Sequence, residues 1–257
     1  MEIYDWFRGR MKDGIKEPPE HMHEFYADNE FITPDLSNLD SPDLVNKSGG
    51  EIMDETRMPW IPVPINVPYQ DILDEALKLY YTSCFSDHRP DANGWKSVCI
   101  HGLGSTLTGT PEDYGFDQSE LELSDWCDIA KYCPKTVQWM MDEMRYKKFS
   151  RVRFMALAPT GWIGPHIDRR SIVGIGATNV AINNPDGCDM VLEGMGKFPW
   201  EPGVVRKINT GYKHAVWNRN EDEPRIHMIF DGEPGHYFSE KVKEGYVDFV
   251  NNMKQSK

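Results

Sequence analysis

The stretch from Arg151 to Asp231 constrains the fold more than any other part of the chain. It is a succession of short apolar runs, at about 151–158, 163–168, 177–182, 188–193, 203–208, 213–217 and 225–231. The breaks between them include Pro159-Thr160-Gly161, Asn184-Pro185-Asp186-Gly187, Glu201-Pro202-Gly203 and Asn220-Glu221-Asp222-Glu223. These residues favour turns because they tolerate or pre-set turn dihedrals and hydrogen-bond their own backbone. Many short strands at this spacing argue for a β-sandwich or barrel.

Helical patterns flank this core. Ile72, Leu73, Ala76, Leu77 and Tyr80 recur at helical spacing over 69–82, with Asp71 and Asp74 near the start, where they suit the helix dipole. Pro134 opens a second helix with Val137, Met140, Met141 and Met144 as its apolar face. Residues 238–253 read as a closing helix with Val242, Tyr246, Phe249 and Val250 inward. These helices are expected to back one sheet. Residues 96–103 read as a strand, and 58–68 as an extended strip that its prolines confine to a sheet edge or the surface. The acidic loop 104–125 reads as either a lid over substrate or a solvated connection. Residues 1–58 are expected to form a loop-rich N-terminal extension, and 59–257 a single domain.

The chemistry sits inside the strand-rich core. His166 and Asp168 are two apart, and on an extended chain such residues share a face. His214 follows after enough chain to leave and return on a neighbouring strand. Two imidazoles and one carboxylate make the facial triad of non-haem Fe(II) oxygenases, which leaves positions open for cosubstrate and O2. None of the five cysteines stands in a CxxC pair, which argues against a thiolate-rich zinc site. Arg225 lies in the alternating run PRIHMIFD, where a guanidinium held on a strand can grip a carboxylate with two parallel hydrogen bonds. His227 shares its face.

The run RFMALAP (153–159) leading to PHID (165–168), NNPDGCDMVLEG (183–194), HAVWN (214–218) and PRIHMIFDG (224–232) together resemble the aspartyl/asparaginyl β-hydroxylase-like family of Fe(II)- and 2-oxoglutarate-dependent dioxygenases, which includes proline hydroxylases. The resemblance implies a mainly β fold with flanking helices, a double-stranded β-helix (jelly roll, cupin-like). It implies His166, Asp168 and His214 as iron ligands and Arg225 as partner of the distal 2-oxoglutarate carboxylate. Many members carry a further cosubstrate histidine on the strand before the NP turn. That position falls here on Thr178 or Asn179, either of which can hydrogen-bond, with His227 assisting. A filled carboxylate position at Asp168 favours hydroxylation over halogenation. The implied cofactors are Fe(II), 2-oxoglutarate and O2. The expected substrate is a free amino acid or a peptidyl residue, its carboxylate met by Arg153, Trp162 or Arg169.

Charge and hydropathy exclude other classes. The net charge is −13 with no basic stripe, so nucleic acid is not an expected partner. No apolar run approaches the ~20 residues that span a bilayer, so neither is a membrane. The first residues lack the apolar stretch of a signal peptide, and the cysteines show no pattern, which fits a cytoplasmic oxidoreductase. Two alternatives remain: a metal-binding cupin-like enzyme without 2-oxoglutarate, and a non-catalytic jelly-roll binding protein. Cupins usually place more His or Glu beside the first pair, and neither alternative gives Arg225 a role.

Overall fold

A computed structural model describes residues 14–34, 36, 44, 47–88, 93–109, 111–117, 123–168 and 177–255. Its strands are β1 (Trp60–Val63), β2 (Ser86–Asp87), β3 (Trp95–Gly102), β4 (Asp125–Trp126), β5 (Lys148–Leu157), β6 (Trp162–His166), β7 (Thr178–Ala181), β8 (Cys188–Leu192), β9 (Gly196–Lys197), β10 (Val205–Ile208), β11 (His214–Asn218) and β12 (Arg225–Glu233). They form two antiparallel sheets. The larger runs β1-β10-β7-β12-β5-β3-β2, with β4 on β3, and the smaller runs β6-β11-β8-β9. From β5 onward the chain crosses between the sheets repeatedly: β5, β7, β10 and β12 in the large sheet, β6, β8, β9 and β11 in the small one. That winding is the double-stranded β-helix.

Alternation explains why the large sheet is buried on both faces. In β5, Val152, Phe154 and Ala156 point one way, and in β12 so do Ile226, Met228 and Phe230. They join the main core with residues of the helices α2 (Gly49–Thr56), α3 (Tyr69–Tyr81) and α5 (His236–Gln255), and of α4 (Pro134–Trp139) with the π-turn Met140–Met144 that extends it. Leu157 of β5 and Ile208 of β10 point the other way, into a second core between the sheets with Ile163, Met190, Phe198 and Val216. Burial of these two cores is the dominant favourable term in folding.

The helices lock together in specific ways. Glu75 of α3 accepts from the N–H groups of Lys135 and Thr136 and from the Thr136 hydroxyl, so it caps the N-terminus of α4. A Cβ on Gly245 would lie 1.8 Å from the Pro62 carbonyl oxygen, so glycine is what lets α5 cross β1 closely. Pro62 is tolerated because β1 is an edge strand, paired among the described residues with β10 alone.

The N-terminal segment differs from its loop reading. The helix α1 (Glu20–Asn29) lies on the outer face of the small sheet, where Met22, Phe25 and Tyr26 pack with Trp162, Val191 and Ala215. The helix α2 begins at a capping box in which Ser48 and Glu51 each satisfy the other's backbone N–H. Among the described residues no helix is long and apolar enough to cross a membrane.

Candidate active site

The strand β6 carries an irregularity that decides where its last residue points. Trp162 pairs with Trp217, Ile163 with Val216 and His166 with His214. Three steps on β6 therefore oppose two on β11, a β-bulge at Gly164-Pro165. With strict alternation His166 would share the outward face of Trp162. The extra residue re-aims it inward with Ile163, opposite His214. The two imidazole rings stand 4.3 Å apart.

Both imidazoles are oriented from behind. His166 Nδ1 lies 2.8 Å from the Gly164 carbonyl, and His214 Nδ1 lies 2.9 Å from the Tyr212 carbonyl. A carbonyl only accepts, so each Nδ1 donates a proton and Nε2 is the nitrogen left to face a metal. Asp168 places Oδ1 3.4 Å from His166 Nε2, and its backbone N–H donates to the Thr210 carbonyl. One ligand atom from each of His166, Asp168 and His214 lies within 4.8 Å of the others, and they are the one such group among the described residues. Two imidazole nitrogens and one carboxylate oxygen are a donor set that suits Fe(II).

The inner face of the large sheet supplies cations. Arg153 is 8% exposed and donates through Nη1 to the Thr108 carbonyl, while Nη2 lies 3.6 Å from Asp231. Burial and the neighbouring Arg151 push the Arg153 pKa down to about 10, which leaves it cationic at neutral pH; Asp168 is among the charges that act on it. Asp231 also accepts from Arg151. Burial opposes its ionisation, but Arg151 and Arg153 hold its carboxyl below the usual range. The loop after β3 is pinned here, since Thr108 and Gly109 offer their carbonyls to these arginines.

At the opposite end of the barrel Arg225 opens β12. It is 8% exposed, with its guanidinium 5.0 Å from the Trp200 ring centroid, and donates through Nη2 to His227 Nδ1 at 3.2 Å. Arg225 has no acceptor, so His227 carries its proton on Nε2. Burial, Arg225 and Arg206 together hold the His227 pKa well below its usual value, so the ring is neutral.

The other expected site residues divide. Asn179 shares the inner face with Arg206 and Ile229 by register, and its amide donates to the Ala177 carbonyl. Thr178 faces the helices instead, with its hydroxyl 3.1 Å from that of Tyr146, because its register partner Phe230 belongs to the outer core. The structure does not bring Trp162 to the triad either. It packs under α1 and donates to the Lys16 carbonyl, on the outward side of the bulge. Arg169 lies outside the described residues. Sequence reasoning missed Arg206, 4% exposed on the inner face of β10. Its signal was an arginine at the inward parity of the run VVRKIN, in step with Ile208.

The sequence matches the family described as Aspartyl/Asparaginyl beta-hydroxylase over residues 67–234. The chain belongs to that family. It is a 2-oxoglutarate-dependent dioxygenase that uses Fe(II) and O2. Its fold is similar to solved structures of low identity. A prolyl-4-hydroxylase from Pseudomonas putida is 11% identical, with 71% of this chain and 96% of that one covered and a TM-score of 0.40. A prolyl hydroxylase from Trichoplax adhaerens, solved with a hypoxia inducible factor peptide fragment, is 14% identical, with 72% and 86% covered and a TM-score of 0.39. HygX from Streptomyces hygroscopicus, solved with nickel, 2-oxoglutarate and hygromycin B, is 9% identical, with 70% and 83% covered and a TM-score of 0.38. No protein of curated function matches the sequence significantly.

Proposed function

We propose that this dioxygenase hydroxylates an unactivated C–H bond of a free amino acid or a peptidyl residue, with Fe(II) held by His166, Asp168 and His214. The convergence of these three ligands, with both imidazoles presenting Nε2, carries the reading. Bound Fe(II) with O2 and 2-oxoglutarate supplies the oxidising chemistry, and the cosubstrate leaves as succinate and CO2.

The protein's own groups bind, orient and exclude. Arg225, its fork held by His227 and backed by Trp200, takes the distal carboxylate of 2-oxoglutarate. The keto-acid end is thereby turned toward the triad. Burial strengthens that grip, because few waters compete with the ligand. Arg153, fixed by Thr108 and Asp231 and acting on Asp168, meets the carboxylate of the substrate. Such anchoring presents one C–H bond to the oxidant, and positioning of this kind is the protein's main contribution when the hard chemistry belongs to the cofactor. A cytoplasmic setting belongs to the same reading, since the cysteines among the described residues are free thiols and a reducing compartment keeps them so.

The test is an anaerobic titration with Fe(II) and 2-oxoglutarate, followed by the visible charge-transfer band of chelated iron. A band in the wild type, followed by amino-acid- or peptide-dependent succinate release in air, is the expected result. Iron binding without a band removes the 2-oxoglutarate reading and leaves a cupin-like metalloenzyme.

A further inference from the structure

Between the sheets lies a set of five buried polar atoms without hydrogen-bond partners, all of them donors: Arg206 Nε and Nη1, Arg225 Nε, His227 Nε2 and Trp200 Nε1. Unpartnered buried donors on this scale are rare, because each forgoes the hydrogen bonds it made to water, and the loss is greater for a charged group. Arg206 is the most exceptional. Its side chain is 5% exposed, and the carboxylate nearest to it, Glu201 at 3.7 Å, is 69% exposed and therefore screened by water. Its register partners on the inner face are Pro62 and Asn179. Pro62 brings no polar side chain, and the Asn179 amide is turned to Ala177.

The two guanidiniums frame one aromatic pair. The Phe198 and Trp200 rings lie 4.2 Å apart, tilted by 39°; Arg206 lies 5.8 Å from the Phe198 ring and Arg225 5.0 Å from the Trp200 ring. His227, edge-on to Trp200 at 4.2 Å, feels both cations and stays neutral, so it adds a donor and no further charge. This buried cluster of two guanidiniums and two further N–H donors, on His227 and Trp200, carries no negative charge of its own.

We infer that Arg206 is a second anchor for the distal carboxylate of 2-oxoglutarate, so that the pocket selects a dicarboxylic keto acid with two guanidiniums. The inference rests on Arg225 as the first anchor. Nothing in the family resemblance assigns a role to this position. Arg206 acts on binding and not on the reacting atoms, so it is a positioning and specificity residue.

The experiment compares 2-oxoglutarate with 2-oxopentanoate, which keeps the chelating end and lacks the distal carboxylate. Each is titrated anaerobically into Fe(II)-loaded wild type, Arg206→Met and Arg225→Met, and the ratio of apparent Kd values measures recognition of the far carboxylate. The ratio is expected to be large in the wild type and to fall tenfold or more in either variant. Melting without metal or ligand gives a second readout. Arg206→Met should melt no lower than wild type, since it removes an uncompensated buried charge. Arg206→Gln, which keeps a donor for Glu201, answers the same question if the Met variant does not fold. A wild-type ratio near one overturns the Arg225 reading itself. A large wild-type ratio that collapses in Arg225→Met and persists in Arg206→Met or Arg206→Gln overturns the Arg206 inference alone.

Discussion

His166 and His214 are register partners across the β6–β11 pair, and each ties Nδ1 to the carbonyl two residues before it. Neither ring needs to change tautomer or turn before it offers Nε2. Replacing His166, Asp168 or His214 by Ala should therefore remove a preorganised ligand. Fe(II) affinity should fall by more than the roughly 10–100-fold that changing an outer-shell partner costs. Anaerobic equilibrium dialysis measures this. Wild-type affinity in any of the three variants would remove that residue from the ligand set.

Arg225→Gln should leave iron binding intact and weaken 2-oxoglutarate. Truncating one side of a buried charge pair costs about 2–5 kcal/mol, or roughly 30-fold to several thousand-fold in Kd. Calorimetry under anaerobic conditions, with iron affinity measured beside it, separates the two effects. Loss of both ligands together would mean that the variant had damaged the barrel.

Much of this was legible in the sequence, because the signals were local. Strand spacing, the alternation in RIHMIFD and the HxD pair rest on period-two geometry, and the seven strand runs expected in the core all have counterparts in the structure. What could not be read was parity across an irregularity. Trp162 and His166 have the same parity in sequence, and only the Gly164-Pro165 bulge sends them to opposite faces. Thr178 and Asn179 could not be separated without the register against β12. Arg206 carries no local signal of burial beyond its parity, because a buried arginine is exceptional. The box at Ser48 and Glu51 was a legible helix start in a segment whose Pro, Asn and Gly content suggested loop.

Acid should weaken the metal-free protein through His227. Burial, Arg225 and Arg206 depress its folded pKa well below 6.5, while the unfolded ring titrates near 6.5. Below about pH 6.5 the unfolded state binds the extra proton, so stability is present above that pH and falls as pH drops, by at most about 1.4 kcal/mol per pH unit. His227→Gln should show a shallower decline in Tm between about pH 6.5 and 5. Parallel profiles would show that the ring does not titrate as argued.

Cys127 should be the most reactive thiol. The neighbouring Cys99 thiol, the Ser105 hydroxyl and the Gly102 N–H bring its pKa down to about 7 against burial. A larger share is then thiolate at neutral pH than for an ordinary cysteine. Peptide mapping after brief iodoacetamide treatment should find Cys127 modified ahead of the buried Cys99, Cys133 and Cys188. Cys99→Ala should slow it severalfold at pH 7 and little at pH 9. Equal rates at pH 7 would mean that Cys99 does not set the acidity of Cys127.

The bulge itself can be tested by removing one residue. Deleting Gly164 leaves two steps on β6 against two on β11, so Ile163 still opposes Val216 and His166 still opposes His214, now in strict alternation. Trp162 and Ile163 precede the deletion and keep their apolar contacts. What goes with the residue is the Gly164 carbonyl that orients the His166 ring through Nδ1. The deletion variant should therefore keep a cooperative melt and still bind Fe(II), about 10–100-fold more weakly than wild type, the cost of losing an outer-shell partner. Adding His166→Ala to the deletion should then weaken binding further, because the imidazole is still in the site. Complete loss of iron binding with an intact melt would show that the bulge itself, and not the register with β11, aims His166 at the metal.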